Sequence, residues 1–321
     1  MGSMCNRMDL RCAFLFPGQG AQYVGMGKSL YDNIETAKKI FEEADRVLNF
    51  KISELCFSGP LEKLTETVNC QIAVFVHSVV CFEVFKKFFP HIKPEFLAGL
   101  SLGEYTCLYA GKVLDFKETL LLVKKRAELM QEASQKIESG MISIIGLDLD
   151  TLEEICKTTG AQIANLNSPS QTVISGKKED ILKAKEIAES KGARCVVLNV
   201  SGAFHSQLME PAKIKLSEYI QRLEFKDSQI PIVSNVKAEP TVKADRIKQN
   251  LIEQMTNRVL WQKSCEYMVS EGVKLFFELG PQKILRNLFR KINKDVKVLN
   301  LGEFEDIEKI NDSLLKKEEA K

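Results

Sequence analysis

Residues 99–103, Gly99-Leu100-Ser101-Leu102-Gly103, form a G-x-S-x-G pentapeptide. It follows the short apolar run Glu95-Phe96-Leu97-Ala98 and precedes Leu102 to Ala110, a segment that can be helical. Strand, sharp turn and helix are the setting of a nucleophile elbow. There the serine Oγ is thrust out of the backbone, and a flanking glycine lets the chain pass closely without a Cβ clash. The helix that starts at the serine aims free N–H groups and the positive end of its dipole at any oxyanion formed there. A serine in an ordinary glycine turn would give the same letters, so the chemistry rests on partners elsewhere in the chain.

A serine hydroxyl is a poor nucleophile until a base takes its proton. The chain holds three histidines. His77 lies inside the apolar run Ile72–His77 and reads as a core or helix-face histidine. His91 sits in a turn between Pro90 and Ile92. His205, in Ser201-Gly202-Ala203-Phe204-His205-Ser206, follows a predicted strand, where α/β sheets carry their sites. By elimination His205 is the base, and serine before histidine is the order of α/β-hydrolases. A third group should orient the imidazole. Asp227 and Glu239 are available, but neither sits at a clear strand end, and a backbone carbonyl can take the same role. Arg126 is the second anomaly. Val123, Arg126 and Met130 are spaced three and four apart and share one helical stripe, whereas Lys124 and Lys125 fall on other faces. An inward guanidinium keeps its charge and needs an anion. That anion is either an internal carboxylate, Glu128 or a distant one, or a substrate carboxylate held bidentately.

The elements that must position these residues alternate. Arg11–Phe16 reads as a strand running into the glycine-rich loop Pro17–Gln22. Amphipathic helical stretches fill Lys28–Leu48, Gln71–Phe89 is an apolar helix, and Asp115–Lys136 is a long one. This alternation predicts a mostly parallel α/β sheet. Beyond Gly140 the pattern changes. Strands at Met141–Leu147, Gln162–Asn165, Thr172–Ser175 and Arg194–Val200 interleave with helices at Asp150–Thr158 and Lys177–Lys191. That order, β-α-β-β-α-β, is a ferredoxin-like split unit. Strands at Ile230–Ser234 and Val273–Glu278 resume the larger unit. The expected fold class is therefore α/β, a core with a parallel sheet plus an inserted ferredoxin-like subdomain. Its segments are 9–136 with 203–302, the insert 137–202, and a charged tail 303–321 expected to fray.

Composition narrows the function. The chain has 321 residues, 45% hydrophobic and 27% charged, with a net charge of +2, which is the balance of a globular protein with a large core. Nothing in it calls for nucleic acid, and the expectation is no membrane span, since no apolar run near the spanning length stands out. The nine cysteines are irregularly spaced with no C-x-x-C, which points to a reducing compartment and no structural zinc. Met1–Met4 reads as a tag remnant that can hide a lost targeting peptide.

Several motifs, taken together, resemble the malonyl-CoA:acyl carrier protein transacylase family of fatty-acid synthesis. They are Phe-Pro-Gly-Gln-Gly-Ala-Gln at 16–22, Gly-Leu-Ser-Leu-Gly-Glu-Tyr at 99–105, Lys-Arg-Ala-Glu-Leu-Met at 125–130, Asn-Ser-Pro-Ser-Gln-Thr-Val-Ile-Ser-Gly at 167–176, Gly-Ala-Phe-His-Ser at 202–206, Trp261, and Glu-Leu-Gly-Pro at 278–281. The resemblance implies a hydrolase-like core, no bound cofactor, and a monomer. It implies malonyl-CoA and the phosphopantetheine arm of acyl carrier protein as substrates, with no nucleic-acid or membrane partner. Ser101 would attack the thioester and His205 would be base and then acid. The N–H groups of Gln19 and Leu102 would form an oxyanion hole, Arg126 would bind the malonyl carboxylate, and Asn167 would be a further polar residue of the site. A main-chain carbonyl near Trp261, here that of Leu260, would orient His205. The chain departs from the family pattern at Arg258, where proline is usual, at Leu260, where a polar residue is usual, and at Gln71-Ile72 in place of Gln-Pro. Phe204 implies malonyl over methylmalonyl. Lys86, Lys87, Lys213, Lys215, Arg286, Arg290 and Lys291 are basic candidates to meet the acidic carrier, and for each of them a plain solvated face is the stronger reading. The compartment implied is the cytoplasm of a bacterium, or a plastid or mitochondrion. Two other functions use the same residues: a serine thioesterase or esterase with water as acceptor, and a catalytically silent carrier-docking module.

Overall fold

The structure, a computed structural model, describes residues 11–318. Among them ten strands form two sheets. The strands are β1 (Cys12–Phe16), β2 (Phe96–Gly99), β3 (Ser139–Ile145), β4 (Gln162–Ser168), β5 (Gln171–Lys177), β6 (Arg194–Val197), β7 (Ile232–Val233), β8 (Pro240–Thr241), β9 (Leu275–Leu279) and β10 (Lys297–Leu301). The larger sheet has the order β10-β9-β1-β2-β7-β8. All its pairs are parallel except the short edge pair β7–β8. β1 is apolar and buried at every residue, as expected of a parallel strand covered on both faces. Phe14, Phe16 and Phe277 point into one core beneath the helix Thr67–Phe88. Ala13, Leu15 and Phe276 point into the other, against Trp261 and Phe289.

The helix Thr67–Phe88 corrects one expectation. It is long and apolar enough to cross a membrane, yet 83% of that stretch is buried inside the fold. Its apolar surface on all sides is explained by packing, because helices and the sheet surround it.

The smaller sheet has the order β4-β5-β3-β6, with every pair antiparallel. Helices Leu149–Thr159 and Lys178–Ser190 cover one face through Ile155, Ile181 and Ala184. Met141, Ala164 and Val173 on the other face join the large core. This is the β-α-β-β-α-β arrangement read from the sequence, with β4 and β5 longer than expected and β6 ending at Val197. β4 is clipped to the larger unit at Val259, whose N–H donates to Ala164 O at 2.8 Å and whose carbonyl accepts from Leu166 N at 2.9 Å.

One helix start matters for the site. The helix Phe116–Lys136, which carries Arg126, opens on a reciprocal capping box: Glu118 N donates to Asp115 Oδ1 at 2.8 Å, and Asp115 N donates to Glu118 Oε2 at 3.1 Å. The tail does not fray over the described residues. Asp306–Glu318 is helical, and Ile307, Ile310 and Leu314 recur at helical spacing against the core.

Candidate active site

The elbow forms where β2 ends and the helix Gly103–Ala110 begins. Ser101 has φ +52°, a left-handed conformation costing a non-glycine residue about 1–2 kcal/mol. Asn235 holds it there. Ser101 N donates to Asn235 Oδ1 at 2.7 Å, and Asn235 Nδ2 donates to Gly99 O at 2.7 Å. Both elbow glycines are sterically required: a Cβ on Gly99 would stand 1.9 Å from Gly103 C, and one on Gly103 2.0 Å from Phe16 O. That approach sets the elbow beside the end of β1 and the loop that follows it, an arrangement completed by Leu100 N donating to Phe16 O at 3.0 Å. The backbone N–H groups of Gln19 and Leu102 donate to no acceptor among the described residues.

His205 follows the smaller sheet and also lies in the left-handed region, at φ +60°. Its Nδ1 is 2.8 Å from Gln254 O and its Nε2 is 2.8 Å from Ser101 Oγ. A carbonyl only accepts, so the proton sits on Nδ1, and Nε2 is left to accept from the serine hydroxyl. Burial, aided by the nearby Arg126 charge, lowers the imidazole pKa to about 4. The orienting carbonyl is thus that of Gln254, not Leu260. Leu260 caps the helix Trp261–Ser270, and its carbonyl accepts from Ser264 N at 3.0 Å and Ser264 Oγ at 3.1 Å. Neither available acid takes part. Asp227 binds Lys243 Nζ and Ala244 N, each at 2.9 Å, and Glu239 is exposed. His77 is a core residue with Nε2 3.0 Å from Gly302 O, and His91 is exposed.

Arg126 is buried and points at the serine. Its Nη2 donates to Ser101 Oγ at 3.0 Å and to Gln254 Oε1 at 3.1 Å, and its Nη1 donates to Gln71 Oε1 at 2.6 Å. The guanidinium lies 5.0 Å from the centre of the Tyr105 ring, a favourable cation–π contact. Nε has no partner, and Arg126 forms no ion pair with a carboxylate among the described residues. Of the two anions left open by the sequence, the internal one is therefore not found.

Gln254 ties the site together. Its carbonyl fixes His205, its Oε1 accepts from Arg126, and its Nε2 donates to Ser101 O at 3.0 Å and Glu104 Oε2 at 2.7 Å. Glu104 Oε2 also accepts from Asn235 N at 3.2 Å, and burial lifts its pKa to about 7. Gln254, Gln71, Asn235 and Glu104 were missed in the sequence. One signal was readable for Gln254: Ile247, Leu251 and Gln254 share a stripe on the helix Ala244–Gln254, the pattern that exposed Arg126. Asn167 is buried, but its Oδ1 has no partner and it does not join this network. A cavity of about 420 Å³ adjoins His205, walled by Glu153 and Gln162 of the smaller unit and by Gln207 and Arg258 of the larger. Arg258, the residue in the unusual position, pairs with Glu153 across it at 2.9 Å.

Together these groups form a serine with its base in hydrogen-bond contact, two spare backbone donors nearby, and a guanidinium with spare donors beside the nucleophile. That is the equipment for transfer of an acyl group that bears a negative charge. Known proteins agree. Residues 13–301 match the acyl transferase domain family. The chain is 43% identical over 304 residues to a malonyl CoA-acyl carrier protein transacylase of Bacillus subtilis, covering 93% of this chain and 95% of that one. A solved malonyl CoA-acyl carrier protein transacylase of Clostridium perfringens superposes with a TM-score of 0.91 at 35% identity, covering 96% of this chain and 98% of that one. A malonyl-transacylase solved in complex with a type II PKS acyl-carrier protein superposes with a TM-score of 0.90 at 34% identity, covering 92% of this chain and 97% of that one.

Proposed function

The chain belongs to the malonyl-CoA:acyl carrier protein transacylase family, and from that premise we propose that it moves a malonyl group from malonyl-CoA, through an ester on Ser101, to the phosphopantetheine thiol of acyl carrier protein. The observation that carries this reading is the buried Arg126, in direct contact with no carboxylate among the described residues and 3.0 Å from the Ser101 Oγ. A hydrolase of neutral esters has no use for such a group.

In the first half-reaction the Ser101 Oγ attacks the thioester carbonyl while His205 Nε2 takes its proton. Gln19 N–H and Leu102 N–H hold the oxyanion, a contribution of about 10²–10³ in rate for each such donor. The C–S bond breaks, and the imidazolium returns its proton to the departing thiolate. In the second half His205 takes the proton of the carrier thiol, which attacks the ester, and then gives it back to Ser101 Oγ. Arg126 holds the malonyl carboxylate throughout. No step calls on a cofactor. Phe204, buried against the core immediately before the base, narrows the space at the α-carbon and favours malonyl over methylmalonyl. Competition between the two thioesters should give a clearly higher kcat/KM for malonyl, and equal values would remove Phe204 from that role. The buried cysteine thiols suit a reducing compartment.

Exposure to malonyl-CoA followed by intact-mass measurement tests the central step. A persistent malonyl adduct that is absent in Ser101→Ala and discharged by carrier protein is expected. Rapid loss of the adduct to water would make the protein a thioesterase, and no adduct would leave a silent docking module.

A further inference from the structure

Glu104 is a buried carboxylate that the reaction above does not use. It stands in the first turn of the helix that follows Ser101, is 2% exposed, and makes no ion pair among the described residues. Arg126, 1% exposed, is the nearby buried positive charge. The two do not touch. The Gln254 amide stands between them, accepting from Arg126 Nη2 at 3.1 Å and donating to Glu104 Oε2 at 2.7 Å. A buried charge needs compensation, but a carboxylate in direct contact would occupy the guanidinium donors. Placing the counter-charge one amide away compensates Arg126 and leaves Nε and the second N–H of Nη1 without a partner among the described residues.

We infer that Glu104 is the counter-charge that sets how tightly Arg126 grips a carboxylate-bearing acyl group, and so tunes the preference for charged over uncharged acyl groups. This inference rests on the reading of Arg126 as the substrate-carboxylate site. An ionised Glu104 opposes the arrival of a second carboxylate through a medium that screens poorly. It therefore weakens the hold on malonyl, and the hold must be weak enough for the group to leave on the carrier.

Glu104→Gln separates charge from bonding. Both hydrogen bonds to Glu104 fall on Oε2, so one amide oxygen can accept both. The readout is the ratio of kcat/KM for malonyl-CoA over acetyl-CoA at pH 8, where Glu104, with a pKa raised to about 7, is mostly ionised. The variant should raise this ratio by about three- to thirty-fold, the scale of one charge acting through a poorly screening medium. An unchanged or lower ratio overturns the inference. Arg126→Ala is the companion: it should collapse the ratio, and a ratio that survives overturns the substrate-carboxylate reading itself.

The wild-type protein supplies an independent measure that needs no variant to fold. Lowering the pH from 8 to 6 should raise its malonyl-to-acetyl ratio as Glu104 gains a proton, and Glu104→Gln should abolish that dependence. The other ionisable groups around Glu104 do not imitate this. His205 acts on both substrates alike, Arg126 keeps its charge, and burial holds Tyr105 and Cys107 protonated across this range, the tyrosine up to about 12. A flat wild-type ratio overturns the inference.

Discussion

His205 does its work as a neutral base, and its surroundings keep it neutral far into acid. Burial and the Arg126 charge lower its pKa from 6.5 to about 4. The consequence for rate is direct: acylation of Ser101 should not decline as pH falls from 7 to 5, and the acid limb should lie near pH 4. Rapid-quench acylation rates across that range would show an inflection near 6.5 if the imidazole were ordinary. The sign for stability follows from linkage. A histidine whose folded pKa is depressed contributes its full stability above pH 6.5, and that contribution is lost as pH falls from 6.5 toward 4. His77, lowered to about 4 by complete burial, acts in the same direction. Glu104 and Glu278, both raised to about 7 by burial, act oppositely: their contribution is complete below pH 4.5 and is lost as pH rises to about 7. At this scale, side-chain type made the nucleophile, base and guanidinium readable. Ser101, His205 and Arg126 are each unusual for their place in the chain. The Gln254 carbonyl was not readable, because every residue has one and only tertiary packing selects it.

The elements succeed where periodicity is strong. Arg126 was readable because an apolar stripe put it on the inner face of a helix, and the structure places that stripe against the core. The helix was expected to begin at Asp115, and in the structure Asp115 and Glu118 close its first turn as a capping box. Replacing Asp115 by alanine removes one side of the capping box and should cost about 1 kcal/mol of stability. Arg126 lies about three turns along, so kcat should be unaffected. Urea unfolding monitored by circular dichroism, with activity measured in parallel, checks both halves. Leu260 shows where the family resemblance misled and the element corrects it. Its position just before Trp261 makes it a helix cap, and a capping carbonyl is already used by its own helix through Ser264. The tail shows the reverse error, since a charged composition concealed the spacing of Ile307, Ile310 and Leu314 that anchors it.

At the scale of the molecule, the carrier must find one face of a nearly neutral protein. Several basic candidates are already engaged: Lys86 with Glu83, Lys213 with Glu210 and Lys215 with Glu132. Arg290, exposed in the last turn of the helix Ile284–Ile292, forms no ion pair among the described residues. Arg290→Glu should lower kcat/KM for carrier protein by about three- to ten-fold at low salt, with the gap closing as salt screens it, while turnover of malonyl-CoA alone is unchanged. Equal carrier kinetics at low salt would clear Arg290 of contact.

The strand order has a further consequence, in time rather than in space. β1, made first, is flanked by β2 and by β9, so one of its edges stays open until residue 279 has been synthesised. Ser101 meets His205 only after the smaller unit has been threaded through, and His205 finds its carbonyl only at residue 254. A chain emerging from the ribosome therefore carries Ser101 with no base for a hundred residues, and a central strand open along one edge for longer still. Such a chain is inert toward thioesters throughout its synthesis, and its exposed β1 edge is the surface that a chaperone has most reason to guard.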